Sequence, residues 1–476
     1  MRVKSWSVVS VIIPTHNRAK ILEATLESVL SQTYPAIEII VVDDGSTDET
    51  TEVIARYGKG IRYLKQSNQG VEEARKHGIQ MSTGDLVTFL DDDDLMAPTK
   101  IERQTAILNS CPDIGVVHCR YRYIDSEGNI IGESGNMPEG DMRKSLVWGC
   151  PPWSGGPLIR RRCFDCFGTS EHPDWYGDWG MWLRITFAGN LWACAQEPLG
   201  DYRIVPGSMI DNRIVNCERL VFHILQEVFE SWDLPREIHA EKDKIYAGWH
   251  FWLSCRFYTM DYWEDARRNL LKTLQFRPGL SDRPGELLEL FYREAIGVRV
   301  RVHDPIRFIN GVFDHLPHEL DMLNRSREWL LSRIYSALAV RDYALGKIRQ
   351  AQNRLGKSLR LSPGFIDHPT DFITQVGEYV QSMPDNLPGN YVDSIIRNLP
   401  QEALSWKSCR SRLSAAVSIA RAFRAYGSGC RISVPAHFIS AVCRDPIWLK
   451  NRAAVAAFIK SLPALLHSGP RQRFQI

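Results

Sequence analysis

Apolar and polar positions alternate in two rhythms along the first part of the chain. Val8 to Ile13 is a short apolar, β-branched run that stops at Pro14, the pattern of a buried strand. Ala19 to Leu30 places Ile21, Leu22, Leu26, Val29 and Leu30 at helical spacing. A second apolar run, Ile37 to Val42, ends in Asp43-Asp44-Gly45-Ser46, and Ser46 or Thr47 is placed to cap a helix reaching Tyr57. Ile61 to Leu64 predicts a third strand, Asn68 to Gly70 a turn, and Val71 to Met81 a helix. Leu86 to Leu90 predicts a fourth strand that runs straight into Asp91-Asp92-Asp93-Asp94. This order implies an α/β domain with a mostly parallel sheet covered on both faces. Right-handed crossovers bring every strand's C-terminal end to one edge, where ligands of such sheets bind. The polar clusters Pro14 to Asn17, Asp43-Asp44 and Asp91 to Asp94 all fall at that edge.

From about Asn216 the strand runs largely stop and long amphipathic helical segments take over. The expected division is an α/β domain over residues 1–215 and an all-α domain over 216–476. Within the second, Ala266-Arg-Arg-Asn-Leu270-Leu-Lys272-Thr-Leu274-Gln-Phe276-Arg-Pro278-Gly279 matches Ala351-Gln-Asn-Arg-Leu355-Gly-Lys357-Ser-Leu359-Arg-Leu361-Ser-Pro363-Gly364. The offset is 85 residues throughout, and Tyr258 maps onto Tyr343. A helix closed by Pro, with Ala at a packing position, resembles the second helix of a tetratricopeptide unit. The period is far longer than one such unit, so helical hairpins separated by irregular helices are expected rather than a regular solenoid. Such a surface suits a protein partner. A fainter echo runs from Ser440 to Pro446.

Composition narrows the class. Hydrophobic residues make up 44% and charged residues 24% of 476 positions, which excludes a disordered tail, a collagen and a small disulfide scaffold. No uninterrupted apolar run of about 18 residues is present, so no transmembrane helix is expected. The first residues lack a signal-peptide pattern, and the expected location is the cytoplasm. Eleven cysteines form no even framework; Cys163 and Cys166 make one C-x-x-C pair with no second at zinc spacing, which leaves buried or free thiols. The net charge of +2 hides an asymmetry: from residue 401 onward 12 Lys and Arg meet 2 acids, Glu402 and Asp445. Such a segment suits an anionic lipid surface, nucleic acid or an acidic partner, or is an ordinary solvated helix face. No nucleic-acid motif accompanies it, so nucleic acid is not an expected partner. Peripheral contact with the inner face of a membrane is the remaining option, although Ala453 to Leu466, interrupted by Lys460 and Pro463, reads as a packed helix ahead of an anchor.

Four carboxylates at the end of an apolar strand repel one another, and a divalent cation removes that cost. Hard oxygen ligands suit Mg²⁺ or Mn²⁺. Asp91 and Asp93 face the same way in an extended segment and can share one ion; a solvated acidic turn is the plainer alternative.

Taken together, the motifs point to a family. Val-Ser-Val-Ile-Ile-Pro14-Thr15-His16-Asn17-Arg18, Val-Val-Asp43-Asp44-Gly45-Ser46-Thr47-Asp48, Asn68-Gln-Gly70 with Ala74-Arg75, and Gly84-Asp85 with Phe-Leu-Asp91-Asp-Asp93-Asp94 follow one another in order. Over about residues 7 to 210 the chain resembles the nucleotide-sugar domain of family 2 glycosyltransferases, with the GT-A fold. The resemblance implies that Pro14, Thr15 and Asn17 hold the nucleoside and that Asp43 or Asp44 accepts a hydrogen bond from its base. It places Arg75 beside base or phosphate, Asp92 at the ribose, and Asp91 and Asp93 as the D-x-D pair, with Asp93 the direct metal ligand.

A second set lies downstream. Pro152-Trp153-Ser154-Gly155-Gly156 resembles the family's acceptor-side segment, where small residues admit backbone N–H groups to a substrate. Tyr176-Gly177-Asp178-Trp179-Gly180-Met-Trp182-Leu-Arg184 resembles the stretch that carries the catalytic base. The family's usual acidic pair is reduced here to Asp178, since Gly177 takes the first position. Asp178 is therefore the candidate base, with helix capping as its plainer role. Trp153, Trp175 and Trp179 suit stacking on a sugar or packing in a core. Val205 stands where the family often has a His that helps hold metal or diphosphate, while Arg203 and Ser208 remain available for the diphosphate.

The resemblance implies an inverting, metal-assisted hexosyl- or N-acetylhexosaminyl-transferase of polysaccharide biosynthesis. A UDP-sugar is the favoured donor, and the acceptor hydroxyl belongs to a glycan, a lipid-linked acceptor or a protein. A non-catalytic sugar-nucleotide scaffold acting through helical repeats is the alternative, supported by Gly177 and Val205. A nucleotidyltransferase is a third reading, disfavoured because Pro-Thr-His-Asn-Arg replaces a Gly-rich phosphate loop.

Overall fold

The structure is a computed structural model that describes residues 6–167, 177–204, 214–297, 304–367, 369–382, 389–427 and 431–467, with side chains as far as residue 462. Trp175, Val205 and Ser208 lie outside the described residues. The chain forms two compact units, residues 1–249 and 250–476.

In the first unit strands and helices alternate: β1 (Val9–Thr15), α1 (Ala19–Leu30), β2 (Ile37–Asp43), α2 (Thr50–Ala55), β3 (Arg62–Lys65), α3 (Val71–Met81) and β4 (Leu86–Phe89). β5 (Leu95–Met96), α4 (Lys100–Ser110), β6 (Ile114–Ile124), β7 (Ile130–Glu133), α5 (Arg143–Trp148), β8 (Leu158–Arg160), α6 (Gly177–Phe187) and β9 (Leu191–Arg203) follow. The expected helix start at Ser46 or Thr47 moves to Thr50. Ser46 is occupied by the backbone N–H of Asn17, and it is Asp48 that accepts from the Thr50 N–H at 3.1 Å.

The nine strands form one sheet in the order β3-β2-β1-β4-β8-β6-β9-β5, with β7 paired to β6. β3, β2, β1 and β4 are parallel, with Thr15 opposite Asp43 and Asp43 opposite Lys65, so their C-terminal ends align. Beyond β4 the sheet is mixed: β8 runs antiparallel to both β4 and β6, while β6 and β9 are parallel. The expectation of a mostly parallel sheet therefore describes the first four strands. The reversal arises because residues 151–157 pass the ligand-side edge and enter β8 from there. Alternate strand residues feed two cores. Ile12, Ile40, Val42, Val87 and Phe89 belong to one, and Val11, Ile13, Ile39, Val41 and Leu86 to the other, as the two-residue period of a strand requires.

The first unit runs past the expected boundary at residue 215. Helix Ile214–Ser231 buries Val221, Ile224, Leu225 and Val228, an i, i+3, i+4, i+7 stripe, in the same core as Trp182 and Ile245. That apolar stripe reads as helix in the sequence, but its destination does not.

One core position works against stability. Lys100 is fully buried, and among the described residues its ammonium reaches the Thr88 hydroxyl alone, at 3.4 Å; burial lowers its pKa from 10.5 to about 8. Lys100→Met is expected to raise unfolding free energy by ~2 kcal/mol near neutral pH. The unfolded chain binds the extra proton between about pH 8 and 10.5, so the parent gains stability with rising pH there and the gap closes. Urea titrations across that window measure it, and a variant no more stable than the parent at neutral pH contradicts it.

The second half repeats as modules. Helices Lys242–Thr259 and Trp263–Phe276, the 3-10 turn Pro278–Leu280, helices Pro284–Ile296 and Pro305–Asp314 and the 3-10 segment His318–Ser326 come first. Arg327–Ala344, Ile348–Leu361, Gly364–Asp367, Thr370–Ser382, Tyr391–Arg397 and Gln401–Cys409 follow in the same sequence of element types, except that Gly364–Asp367 is α-helical. A third set consists of Arg410–Gly427, Val434–Arg444, Pro446–Lys450 and Arg452–His467. The 85-residue period is thus a module of several helices rather than one hairpin. Equivalent positions do equivalent work. Ala266 and Ala351 are fully buried, and the Tyr258 and Tyr343 hydroxyls donate to the carbonyls of His315 and Asn398 at 3.0 and 2.7 Å.

Candidate active site

The site grows from the C-terminal ends of β1, β2 and β4 and the first turns of α3 and α6. Gly78 lets α3 lie against β1, because a Cβ there would stand 2.3 Å from Ile12 Cγ2. This fixes Arg75 under the sheet edge, 5% exposed, with its guanidinium 5.7 Å from the Phe89 ring centroid. Arg75 donates to Asp91 at 2.5 Å and, through its other terminal nitrogen, to Asp178. One buried cation thus joins the acidic row to the candidate base across more than 100 residues of sequence.

Asp178 sits in the first turn of α6, behind Gly177 in the left-handed region at φ +69°. Burial pushes its carboxyl up to about 6; Arg75 opposes the shift, and Asp91 and Glu72 add to it. Its protonation therefore changes within the range where a general base is useful.

The four carboxylates of the acidic row have different surroundings. Asp91 accepts from Arg75 on one oxygen and from the Ser154 hydroxyl at 2.6 Å on the other. Asp92 has Arg18 at 3.8 Å, and burial followed by Asp93 and Asp91 pushes it up to about 7. The Asp93 carboxylate has Arg18 at 4.0 Å as its ion-pair partner among the described residues, and burial, then Asp91, raises its pKa. Asp94 is a structural anchor: fully buried, it accepts from the Arg203 backbone N–H at 2.8 Å and from the Trp153 indole. Burial holds its pKa well above the usual value, with Asp93 and Asp91 adding. Among the described residues no group of three or more His, Cys, Asp or Glu gathers as a metal cage.

On the side expected to hold a nucleoside, Pro14 and Thr15 end β1, buried. Asn17, at φ 55°, accepts the Thr47 backbone N–H at 2.8 Å and clamps the two loops together. Asp43 has no exposed surface; it accepts from the Ser46 N–H and the Tyr63 hydroxyl, both at 2.7 Å. Burial raises its pKa, but those hydrogen bonds and Lys65 outweigh it, leaving the carboxyl below its usual value. Asp44 accepts from Gln66 and the Gln69 N–H at 2.8 Å and from the Gly70 N–H at 2.7 Å, pinning the Asn68–Gly70 turn. Both carboxylates therefore hold the loops that frame the edge.

Trp153 and Trp179 are packing residues here. The Trp153 ring fills a slot that a Cβ on Gly155 or Gly200 would close, at 2.4 and 2.2 Å. Gly155 thus makes room for an indole, and the Gly156 N–H donates to the Trp153 carbonyl at 2.8 Å. Trp179 donates to the Leu146 carbonyl at 2.6 Å and packs on Trp249 with centroids 4.4 Å apart. Trp153 and Ser154 both reach the acidic row, the indole donating to Asp94 and the hydroxyl to Asp91. The Arg203 guanidinium donates to the carbonyls of Asp93 and Asp125, at 2.8 and 2.9 Å, and so fixes the row's main chain.

Two site residues escaped the reading of the sequence. Arg18 stands over Asp92 and Asp93; its place directly after the Pro14–Asn17 loop was the available signal. Glu72 lies one helical turn before Arg75, and its carboxylate is 3.8 Å from where a Gly177 Cβ would sit. It stands beside the position vacated by the missing first acid, a neighbour no local pattern announces.

Residues 10–164 match the model of the family described as Glycosyl transferase family 2. Over this stretch the chain is similar to the family 2 glycosyltransferases. Over 133 residues it is 42% identical to an uncharacterized glycosyltransferase of Rickettsia typhi, covering 28% of this chain and 42% of the relative. Over 210 residues it is 34% identical to one from a Nostoc strain, covering 41% and 64%. These matches span less than two thirds of either relative. A solved mannosyltransferase from Pyrobaculum calidifontis, in complex with GDP-Man and Mn²⁺, superposes with a TM-score of 0.44 at 17% identity, covering 66% of this chain and 88% of that one.

Proposed function

We propose that the chain transfers a sugar, with inversion, from a nucleotide-diphosphate donor, a UDP-sugar first, to an acceptor hydroxyl. The observation that carries this reading is the Arg75 bridge, which sets a carboxylate of near-neutral pKa beside an acidic row at the end of β4. The family match and the names of the curated relatives supply the reaction class.

The residues fit a divalent cation in the way Mg²⁺ or Mn²⁺ is usually held, by one or two carboxylates plus phosphate oxygens and water. Asp93 offers its carboxylate directly. Asp91 joins it on exchanging its Arg75 or Ser154 bond. When bound, the cation neutralises charge on the departing diphosphate. Asp178 takes the proton from the acceptor hydroxyl oxygen, which then attacks the anomeric carbon, while Arg75 keeps the carboxylate oriented. Asp43, Asp44 and Asn17 hold the nucleoside loops in place, and Asp92 and Arg18 face the ribose and diphosphate region. The helical modules serve as a surface for a protein partner or for a glycan, lipid-linked or protein acceptor. The scaffold alternative draws on Gly177, which removes one acid; Glu72 beside it restores the negative charge and weighs against that reading.

Calorimetric titration with UDP-, TDP- and GDP-sugars, each with Mn²⁺ and with EDTA, tests the donor site. Binding is expected with metal, weakened at least tenfold in Asp93→Ala and retained in Asp178→Asn. Absence of binding by every donor, with or without metal, overturns the proposal.

A further inference from the structure

The third helical module carries an unusual surface. The four most exposed large apolar side chains among the described residues are Ile447, Leu449, Ile459 and Ile439, at 60%, 58%, 57% and 53%. All lie on three consecutive elements that pack on one another: Val434–Arg444, Pro446–Lys450 and Arg452–His467. The helix faces are well defined. Ala454, Ala457 and Ser461 point inward, which turns Arg452, Ala456 and Ile459, at i, i+4 and i+7, to the outside. On Val434–Arg444, Val434, Pro435, Phe438 and Ala441 are buried, while Ile439 is exposed to solvent.

The earlier modules show what such a position normally receives. Helices Pro284–Ile296 and Thr370–Ser382 bury Leu287, Phe291, Phe372 and Val376 and pack against the first helix of the next module. Arg452–His467, third in its own module, meets no such helix among the described residues and turns Ile459 outward.

Charge selects the occupant. Arg431, Arg444, Lys450, Arg452 and Lys460 are exposed in the same module, and Asp445, which caps Pro446–Lys450, is the acid among residues 431–462. Lys450, Arg452 and Lys460 have no ion-pair partner among the described residues. A second copy would bring like charges together, whereas a bilayer rich in anionic headgroups meets both features, apolar side chains at the acyl boundary and cations at the phosphates. No described helix is long and apolar enough to cross a membrane, so the contact lies in the interface plane. We infer that this face of the third module, Ile439, Ile447, Leu449 and Ile459 ringed by Arg444, Lys450, Arg452 and Lys460, docks on an anionic lipid surface. The inference is independent of the donor chemistry.

Co-sedimentation of the full chain with vesicles tests it, comparing pure phosphatidylcholine with phosphatidylcholine–phosphatidylglycerol mixtures at low and high salt. Binding is expected to the anionic vesicles alone, to weaken with salt, and to fall on the order of tenfold or more in Lys450→Glu/Arg452→Glu. Ile447→Ser/Leu449→Ser is expected to weaken it as well, with the far-ultraviolet spectrum unchanged in both variants. Equal binding to neutral vesicles, or none to either kind, overturns the inference. So does concentration-dependent self-association that the same variants abolish without any vesicle binding, since that outcome assigns the face to a second copy.

Discussion

Asp178→Asn is expected to lower kcat about a thousandfold, a loss of about 4 kcal/mol in transition-state stabilisation, while donor affinity stays within a factor of a few. The amide keeps the size of the side chain and can still accept from Arg75, but it cannot take up the acceptor's proton. The pH profile gives an independent check. The carboxyl is pushed to about 6 and works deprotonated, so kcat/KM rises with pH through that value and levels above it. Glu72 contributes to the upward push, so Glu72→Gln moves the rising limb to lower pH without removing the base. Nucleoside diphosphate release under donor saturation reads both effects. A variant within tenfold of the parent, or a profile with no limb near 6, removes Asp178 from the base role.

Arg75→Met is expected to cost about 3 kcal/mol of stability, because it leaves Asp91 and Asp178 facing each other without the buried cation between them. The sign with pH is fixed. Without Arg75 the folded pKa of Asp178, already raised by burial, rises further above its unfolded value, so the variant's stability falls as pH rises and the deficit shrinks in acid. Urea midpoints at about pH 7 and about pH 5 should therefore differ from the parent by unequal amounts, the larger at the higher pH. An equal deficit at both assigns the loss to packing against Phe89 instead. Donor binding should also weaken, since the same cation holds Asp91 in place.

Much of the first unit could be read directly from the chain. Helices Ala19–Leu30 and Val71–Met81 begin and end where their apolar spacing places them, and the first four strands fall within two residues of their apolar runs. Strand ends carry polar clusters, and parallel pairing alone brings those clusters together. The mixed half of the sheet was less legible, because β8 has only three residues and its direction depends on where residues 151–157 cross the edge. The roles of Trp153 and Gly155 were hidden for a related reason: Gly200, the other wall of the slot, is remote in sequence. Arg75 stood out in the sequence as a candidate, but its bridge to Asp178 did not, since no local pattern encodes a contact between α3 and α6. In the second half the matching segments around Ala266 and Ala351 announced a repeat, yet conserved spacing of two helices says little about the elements between them.

The joints between modules have equivalent surroundings. The 3-10 segment ending at Ser326 leads into the helix that begins at Arg327, and the one ending at Cys409 leads into the helix that begins at Arg410. Both receiving helices are 18 residues long. A chain cut after Ser326 and resumed at Arg410 would meet the helix register it left, with each surviving module keeping the type of neighbour it had. Length in this half is therefore quantised. It can shrink or grow by one whole module at a time, and the charged third module with its lipid-facing side chains would travel intact.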